Sequence, residues 1–286
     1  MESWKTLAIE KPRNFPLFTP QSAAMVCWMS LGPITPEEIR AMKKRGQKIA
    51  ALTAYDYPTT RLLDEIGIPL ILVGDSLGMV VLGYPNTTHV TLADMEHHVG
   101  AAARAQPRSL LVADLPYRTY ETPALALENA AKLQRAGARA IKAEGGREIV
   151  PQVRALTTAG IPFLGHLGML PQHVVEEGGY RIKGRTEPER EALLADAQAL
   201  AEAGAFAIVL ELVTPPVAAE ISRQLEIPTI GIGSGPDCDG QILVTHDLLG
   251  LFPWFTPKFV KARAHLAEEA RTAIHQWQLS LANPSK

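Results

Sequence analysis

The sequence predicts a single (β/α)8 TIM barrel, and three observations carry that expectation. Short apolar runs recur along the 286 residues, at about 48–53, 69–73, 109–113, 139–143, 162–165, 206–210, 228–232 and 241–244. Two small units repeat ahead of them. Ala136-Gly137-Ala138 and Ala203-Gly204-Ala205 precede runs ending at Glu144 and Glu211, and Ile-Pro opens others at Ile68-Pro69, Ile161-Pro162 and Ile227-Pro228. The third observation is a polar residue at the end of nearly every run. Unbroken aliphatic runs this short read as strands buried on both faces, as in a parallel sheet. Proline is tolerated at a strand's first residue, where its missing N–H is not yet needed by the ladder. Eight βα units over this length match one barrel. A doubly wound open sheet is the alternative, but it usually carries a Gly-rich phosphate turn after its first strand, and none is present.

Taken in order, Pro36 to Arg45 predicts a short helix with Thr35 as N-cap and Pro36 at the first helical position. The first strand ends at Ala54-Tyr55-Asp56, and a helix from about Pro58 to Ile66 leads to the second strand. The stretch Leu70-Ile71-Leu72-Val73-Gly74-Asp75-Ser76 ends a buried strand in a carboxylate and a hydroxyl, and Gly74 to Gly83 reads as a loop. Thr91 to Arg104 is the next helix, with Thr91 and Asp94 as capping residues. Thr122-Pro123 opens a helix running to Arg135. Gly178-Gly179-Tyr180 through Gly184-Arg185 is a long βα loop, suited to a mobile lid. The helical pattern from Lys258 to Leu281 either finishes the barrel or reaches a neighbour.

Residues 1–33 have mixed polarity, Pro12, Pro16, Pro20 and Gly32, and no sustained period. They are expected to be an extension, disordered or packed against another subunit, ahead of one barrel domain at 34–286 with a helical tail. Met25 and Met29 leave an upstream start codon as a further reading. Lys5, Lys11 and Arg13 lack the apolar h-region of a secretory signal. No stretch approaches the roughly 18 apolar residues of a membrane span. Net charge is −2 and the longest basic run is Lys43-Lys44-Arg45, which argues against a nucleic-acid surface. Cys27 and Cys238 are too isolated for a disulfide framework or a cysteine zinc site. A reducing, cytoplasmic setting is expected.

In a barrel the strand ends share one mouth, where ligands bind. They are Tyr55-Asp56, Asp75-Ser76, Asp114, Lys142 with Glu144, His166, Glu211 and Ser234. Any single acid is equally well a cap for the next helix; a succession of them points to a site. Asp75 and Asp114 end adjacent strands and suit Mg²⁺, which takes a few carboxylates plus waters and substrate oxygens. Glu144 reads either as an outer ligand orienting metal waters or as a partner of Lys142, two residues away on the same strand face. A buried lysine must meet an anion, so Lys142 reads as binding a substrate carboxylate or enolate, or as a Schiff-base lysine. Glu211, flanked by Ile208-Val209-Leu210 and Leu212-Val213, suits a general base, or else a buried glutamate held by a partner. His166, in Gly165-His166-Leu167-Gly168, reads as binding or auxiliary. Gly231-Ile232-Gly233-Ser234-Gly235 either cradles an anionic group or lets backbone approach a ligand.

Several of these segments together closely resemble the ketopantoate hydroxymethyltransferase family. They are Leu72-Val73-Gly74-Asp75-Ser76-Leu77-Gly78-Met79, Ala113-Asp114-Leu115-Pro116, Lys142-Ala143-Glu144-Gly145-Gly146, Gly165-His166-Leu167-Gly168, and Gly231-Ile232-Gly233-Ser234-Gly235 with Asp239-Gly240-Gln241. The likeness runs from about Ile34 to Lys261. It implies a barrel of the phosphoenolpyruvate mutase/isocitrate lyase superfamily, assembled as a homodecamer of two pentamer rings. It implies Mg²⁺ on Asp75 and Asp114 with Glu144 nearby, and 3-methyl-2-oxobutanoate bound through Asp75, Ser76, Lys142 and the metal. It further implies Glu211 as catalytic base, and 5,10-methylenetetrahydrofolate as one-carbon donor for 2-dehydropantoate in pantothenate synthesis. Ala143, where many relatives carry a bulkier residue, and Pro236-Asp237-Cys238 depart from the pattern without touching a residue given a chemical role.

The nearest rival is a lyase of the same superfamily acting on a small 2-oxo acid without folate. Such lyases carry a loop cysteine in a Lys-Cys-Gly setting, which neither Cys27 nor Cys238 has. A non-catalytic barrel is the rival of another class. Keeping Glu211, Lys142 and two metal-suited carboxylates buried for packing alone is expensive, which weighs against it.

Overall fold

Eight parallel strands pair in sequence order, and the first closes on the last. They are β1 (Ile49–Thr53), β2 (Leu70–Val73), β3 (Leu110–Asp114), β4 (Ala140–Glu144), β5 (Phe163–Gly168), β6 (Ala207–Glu211), β7 (Thr229–Ile232) and β8 (Gly240–Leu243). This computed structural model describes residues 32–282, so the expectation of a disordered or subunit-packing extension at 1–33 lies almost wholly outside the described residues. Pro33–Lys286 form one compact unit. No helix among the described residues is long and apolar enough to cross a membrane.

Strand alternation divides the barrel into two layers. Ile71, Val73, Leu111, Ala113, Ile141, Ala143, Ile208 and Leu210 belong to the outer apolar layer beneath the helices. Their neighbours Leu72, Lys142, Glu144, Val209 and Glu211 face a central cavity. The same period-two rule therefore makes Lys142 and Glu144 point inward together.

The helices start where capping chemistry directs. Thr35 caps α1 (Pro36–Lys44), Asp56 caps α2 (Tyr57–Glu65), and Thr122 caps α5 (Pro123–Ala136), each accepting a backbone N–H of the first turn. Between these come α3 (Leu77–Val80) and α4 (Leu92–Ala103), the latter opened by a reciprocal Thr91–Asp94 capping box. After β4 follow α6 (Val150–Thr158), α7 (Glu187–Glu202) capped by Thr186, and α8 (Pro215–Gln224). The chain ends in α9 (Thr245–Leu248) and α10 (Leu266–Ala282).

α1 lies at the N-terminal end of the barrel. Ile34 N–H donates to Arg108 O at 2.7 Å, and Lys43 Nζ donates to Ser222 O and Ile227 O at 2.7 and 3.0 Å and pairs with Asp239 at 3.0 Å. Arg108, Ile227 and Asp239 all stand just before strands.

Three sequence expectations are corrected. The segment read as a loop after β2 contains the helical turn α3, because Ser76 and Leu77 carbonyls accept the N–H groups of Val80 and Val81. The seventh βα unit has no helix: residues 233–239 return directly from β7 to β8. The tail becomes helical only at Leu266, not Lys258, and from Glu268 to Leu281 every residue is exposed, so it does not finish the barrel.

Candidate active site

The C-terminal mouth of the barrel opens into a cavity of about 720 Å³ lined by seven of the strand-end residues singled out in the sequence, Asp75, Ser76, Asp114, Lys142, Glu144, His166 and Glu211. They come from the ends of five consecutive strands, β2 to β6. Three other strand-end residues do not join them, and of these Tyr55 is buried with its hydroxyl against Ser76. Asp56 is spent as the cap of α2, its Oδ1 accepting Thr59 N–H at 2.8 Å. Ser234 is a buried pin, its Oγ donating to Leu210 O at 2.7 Å and accepting Val213 N–H at 3.0 Å. Gly233 lies under Phe259, where a Cβ would meet the ring at 2.9 Å. The glycine run therefore serves close packing at the mouth.

Asp114 is the hinge of the acidic wall. Its Oδ2 accepts the Asp75 backbone N–H at 3.1 Å, and its Oδ1 accepts Lys142 Nζ at 2.7 Å. The flanking residue Ser76 exchanges a 2.9 Å hydrogen bond with the Tyr55 hydroxyl. Burial raises the Asp75 carboxyl well above the usual range, and the charges of Asp114 and Glu144 add to that rise. Burial alone would lower the Lys142 pKa, but the surrounding carboxylates Asp114, Glu144 and Asp75 outweigh it and hold the ammonium above its ordinary value. The Lys142 ammonium is thus held against the acidic wall by its 2.7 Å ion pair with Asp114.

Glu144 is pushed up to about 7, chiefly by burial, against the lowering effects of Lys142 and the Gln172 N–H. Its Oε2 accepts that N–H at 2.9 Å, while its Oε1 is buried without a hydrogen bond, 3.5 Å from His166 Nδ1. His166 Nε2 lies 3.2 Å from Glu211 Oε2. Burial, and then the Lys142 charge, keep the imidazole below its usual range and hence neutral. The ring therefore stands between two carboxylates with a single N–H to share.

Two residues of the site were missed by sequence reasoning. Gln172 Nε2 donates to Asp75 Oδ2 at 2.8 Å and to Leu115 O at 3.0 Å. Tyr120 donates from its hydroxyl to Gln172 Oε1 at 2.7 Å. Neither ends a strand, and uncharged amides and phenols in loops carry no spacing signal. The 178–185 loop, expected as a lid, is fastened at one end: Lys183 N–H donates to Leu212 O and Thr214 N–H to Lys183 O, at 2.8 and 2.9 Å. Tyr180 and Ile182 of this loop line the cavity.

The acidic wall fits a divalent cation. Three buried carboxyl groups face one ammonium, an imbalance that protons or a cation must correct. Among the described residues no three His, Cys, Asp or Glu side chains gather tightly enough to hold an ion unaided. The residues whose chemistry would suit such an ion are Asp75 and Asp114, with Glu144 nearby.

The ketopantoate hydroxymethyltransferase family matches residues 33–284. A 3-methyl-2-oxobutanoate hydroxymethyltransferase of Moorella thermoacetica is 54 % identical over 247 residues, 86 % of this chain and 92 % of that protein. Its counterpart in Caldivirga maquilingensis is 57 % identical over 235 residues, 82 % and 88 % of the two chains. Among solved structures, phosphonopyruvate hydrolase in complex with oxalate and Mg²⁺ superposes with a TM-score of 0.59 at 15 % identity, covering 87 % of each chain. A 2,3-dimethylmalate lyase, described as a PEP mutase/isocitrate lyase superfamily member, gives 0.57 at 17 % identity, covering 87 % and 88 %. These two likenesses are ones of fold alone.

Proposed function

The chain belongs to the ketopantoate hydroxymethyltransferase family, and we infer from its site how it transfers a hydroxymethyl group to 3-methyl-2-oxobutanoate, giving 2-dehydropantoate for pantothenate synthesis. One observation carries the mechanism: a charged lysine and three carboxyl groups line the same mouth as Glu211.

Asp75 and Asp114 would hold Mg²⁺, with Glu144 beside them. When bound, the ion supplies Lewis-acid polarisation of the 2-oxo acid, which makes the C3 proton more acidic. Ser76 and Lys142 bind the acid, and His166 steadies the far side of the pocket. Glu211 removes the C3 proton as general base; its contact with His166 at 3.2 Å supports a fixed orientation. The electron pair left at C3 spreads to the 2-oxo oxygen as an enolate, where the Lys142 ammonium stabilises the negative charge. The enolate carbon then bonds to the methylene carbon of 5,10-methylenetetrahydrofolate. One water is consumed as the carbon–nitrogen bonds of the donor break, releasing 2-dehydropantoate and tetrahydrofolate.

The protein works in the cytoplasm, on small molecules, without nucleic acid or membrane. Residues 34–286 act as one barrel domain, in a homodecamer. Exposed Ile274, Trp277 and Leu281 on α10 support association with further copies.

Loss of the C3 proton of 3-methyl-2-oxobutanoate in D₂O, followed by NMR, tests the mechanism. Expected are Mg²⁺-dependent exchange without donor, product on adding the folate, and a fall of about 10²–10⁴-fold in Glu211→Gln. Exchange that survives intact in Glu211→Gln sinks the assignment of the base. No exchange and no product from folded, Mg²⁺-loaded protein sinks the mechanism as a whole.

A further inference from the structure

The cavity has two unlike halves. The β2–β6 side is the acidic wall described above. The β7–β8 side is mostly apolar, built from Ile232, Ile242, Phe252, Phe255 and Phe259, with Asp247, Thr256 and Lys258 as polar residues among them. At about 720 Å³ the whole cavity falls within the roughly 300–1,000 Å³ of sites that take a drug-sized ligand, far more than a five-carbon acid needs.

Asp247 has no structural task that accounts for it. It is 7 % exposed, yet no hydrogen bond or ion pair to its carboxylate occurs among the described residues. It stands in the first turn of α9, where an acid commonly caps, but Val244 before that turn receives no side-chain cap. Burial alone pushes the carboxyl up to about 6. A largely buried, unpaired acid that opens onto a cavity is best satisfied by a ligand that completes it.

The chemistry of that ligand can be read from its surroundings. A carboxylate best accepts two parallel N–H groups from one planar edge. Phenyl rings lining the same cavity favour a flat ring. A 2-amino-4-oxo heterocycle offers both, through its ring N3–H and 2-amino group, and the reduced pterin of the folate donor is such a ring. Asp247 follows β8, two strands round from β6, and neighbouring strands lie about 4.8 Å apart. The span, on the order of 10 Å of barrel wall, suits a fused two-ring system that directs its one-carbon unit toward the acid beside Glu211. We propose that Asp247 and the Phe252–Phe255–Phe259 wall form the pterin subsite of the one-carbon donor. The proposal rests on the folate reading above.

The test is steady-state kinetics of Asp247→Asn with 5,10-methylenetetrahydrofolate, alongside donor-free C3 proton exchange. Losing a charge-assisted bidentate contact should raise the KM for the folate about 10- to 100-fold. The KM for 3-methyl-2-oxobutanoate and the exchange rate, which need no donor, should stay within about twofold. A donor analogue lacking the 2-amino group should be poor with the wild type and lose little more in Asp247→Asn. Phe255→Ala, at an exposed position, is the second variant and should raise the folate KM several-fold with exchange intact. A folate KM within about twofold of wild type in both variants overturns the proposal. If Asp247→Asn loses exchange as well, it has misfolded and Phe255→Ala decides. Wild-type protein that exchanges the C3 proton yet gives no product with the folate sinks the donor reading itself, a different outcome from either variant's failure.

Discussion

Lys142 Nζ donates to Asp114 Oδ1 at 2.7 Å, with both side chains almost fully buried. In the free protein the lysine's first partner is therefore a carboxylate of the site, and a substrate anion must share it. Lys142→Met leaves Asp114 unpaired beside two other acids. Removing one partner of a buried pair costs about 3–5 kcal/mol, which denaturant unfolding without divalent ions will measure. C3 proton exchange should fall about 10²–10³-fold, as for loss of an oxyanion partner. A variant as stable as the wild type means that Asp114 is satisfied by another route.

Cation and protons compete for the same wall. Asp75 is raised by burial and its acidic neighbours, and Glu144 is raised to about 7, so both bind protons more readily than an ordinary carboxylate and protons compete with a metal for them. Mg²⁺ should raise the thermal midpoint, by more at about pH 8 than at about pH 6, and its binding should release protons detectable by calorimetry in buffers of different ionisation enthalpy. Asp75→Asn should abolish the Mg²⁺ effect. An equal rise at both pH values removes Asp75 and Glu144 from the competition.

Gln172 is a small residue in the inventory with a large lever. It ties Asp75 Oδ2 to the Leu115 carbonyl and the Tyr120 hydroxyl. Supports behind metal ligands are typically worth about 10–100-fold in affinity. Gln172→Ala should weaken Mg²⁺ by about that factor while leaving the exchange rate at saturating Mg²⁺ much closer to wild type. A drop only at saturation would mean that Gln172 acts on the substrate instead.

Asp247 also makes a stability prediction independent of any ligand. Its folded-state pKa, about 6, is above the ordinary 3.8, so its proton is held more tightly folded than unfolded. The stability it contributes is full below about pH 4 and is lost as pH rises through about 6. Asp247→Asn, which cannot ionise, should gain on the wild type across that window and hold the gain above it. Thermal midpoints at about pH 4, 5 and 6.5 in chelator check this; a difference that does not change with pH removes the buried carboxylate from the account.

The strands were legible because burial on both faces leaves a run of aliphatics that nothing else in the chain imitates. Beyond the runs themselves, the Ile-Pro openings marked where several begin, and all eight observed strands lie within three residues of their expected ends. Asp75, Asp114, Lys142, Glu144 and Glu211 could be singled out because a charge at the end of such a run is chemically out of place. Asp56 shows the cost of that rule, since a helix cap presents the same letter in the same position. Gln172 and Asp247 escaped it because they sit beyond the strands, where polar residues are ordinary and only burial makes them unusual. The missing seventh helix escaped for another reason: a glycine-rich return of seven residues, 233–239, carries no helical period to be absent from.

The pairing of β1 with β8 joins Ile49 to Gly240 and Leu52 to Leu243, residues almost the whole barrel apart in the chain. Thr245 reinforces the seam: its N–H donates to Thr53 Oγ1 at 3.1 Å and its hydroxyl donates to Thr53 O at 2.6 Å. Contacts of such long separation bear the largest loop-closure entropy, so they form late. The seam also carries Thr53, Ile242 and Asp247 to the cavity wall. The pocket is therefore completed by the same event that ends folding. Amides of Ile49–Thr53 should be the last strand amides to gain protection during refolding, and ligand binding should appear with them, so a chain caught midway through synthesis carries its acidic wall without a chamber to use it in.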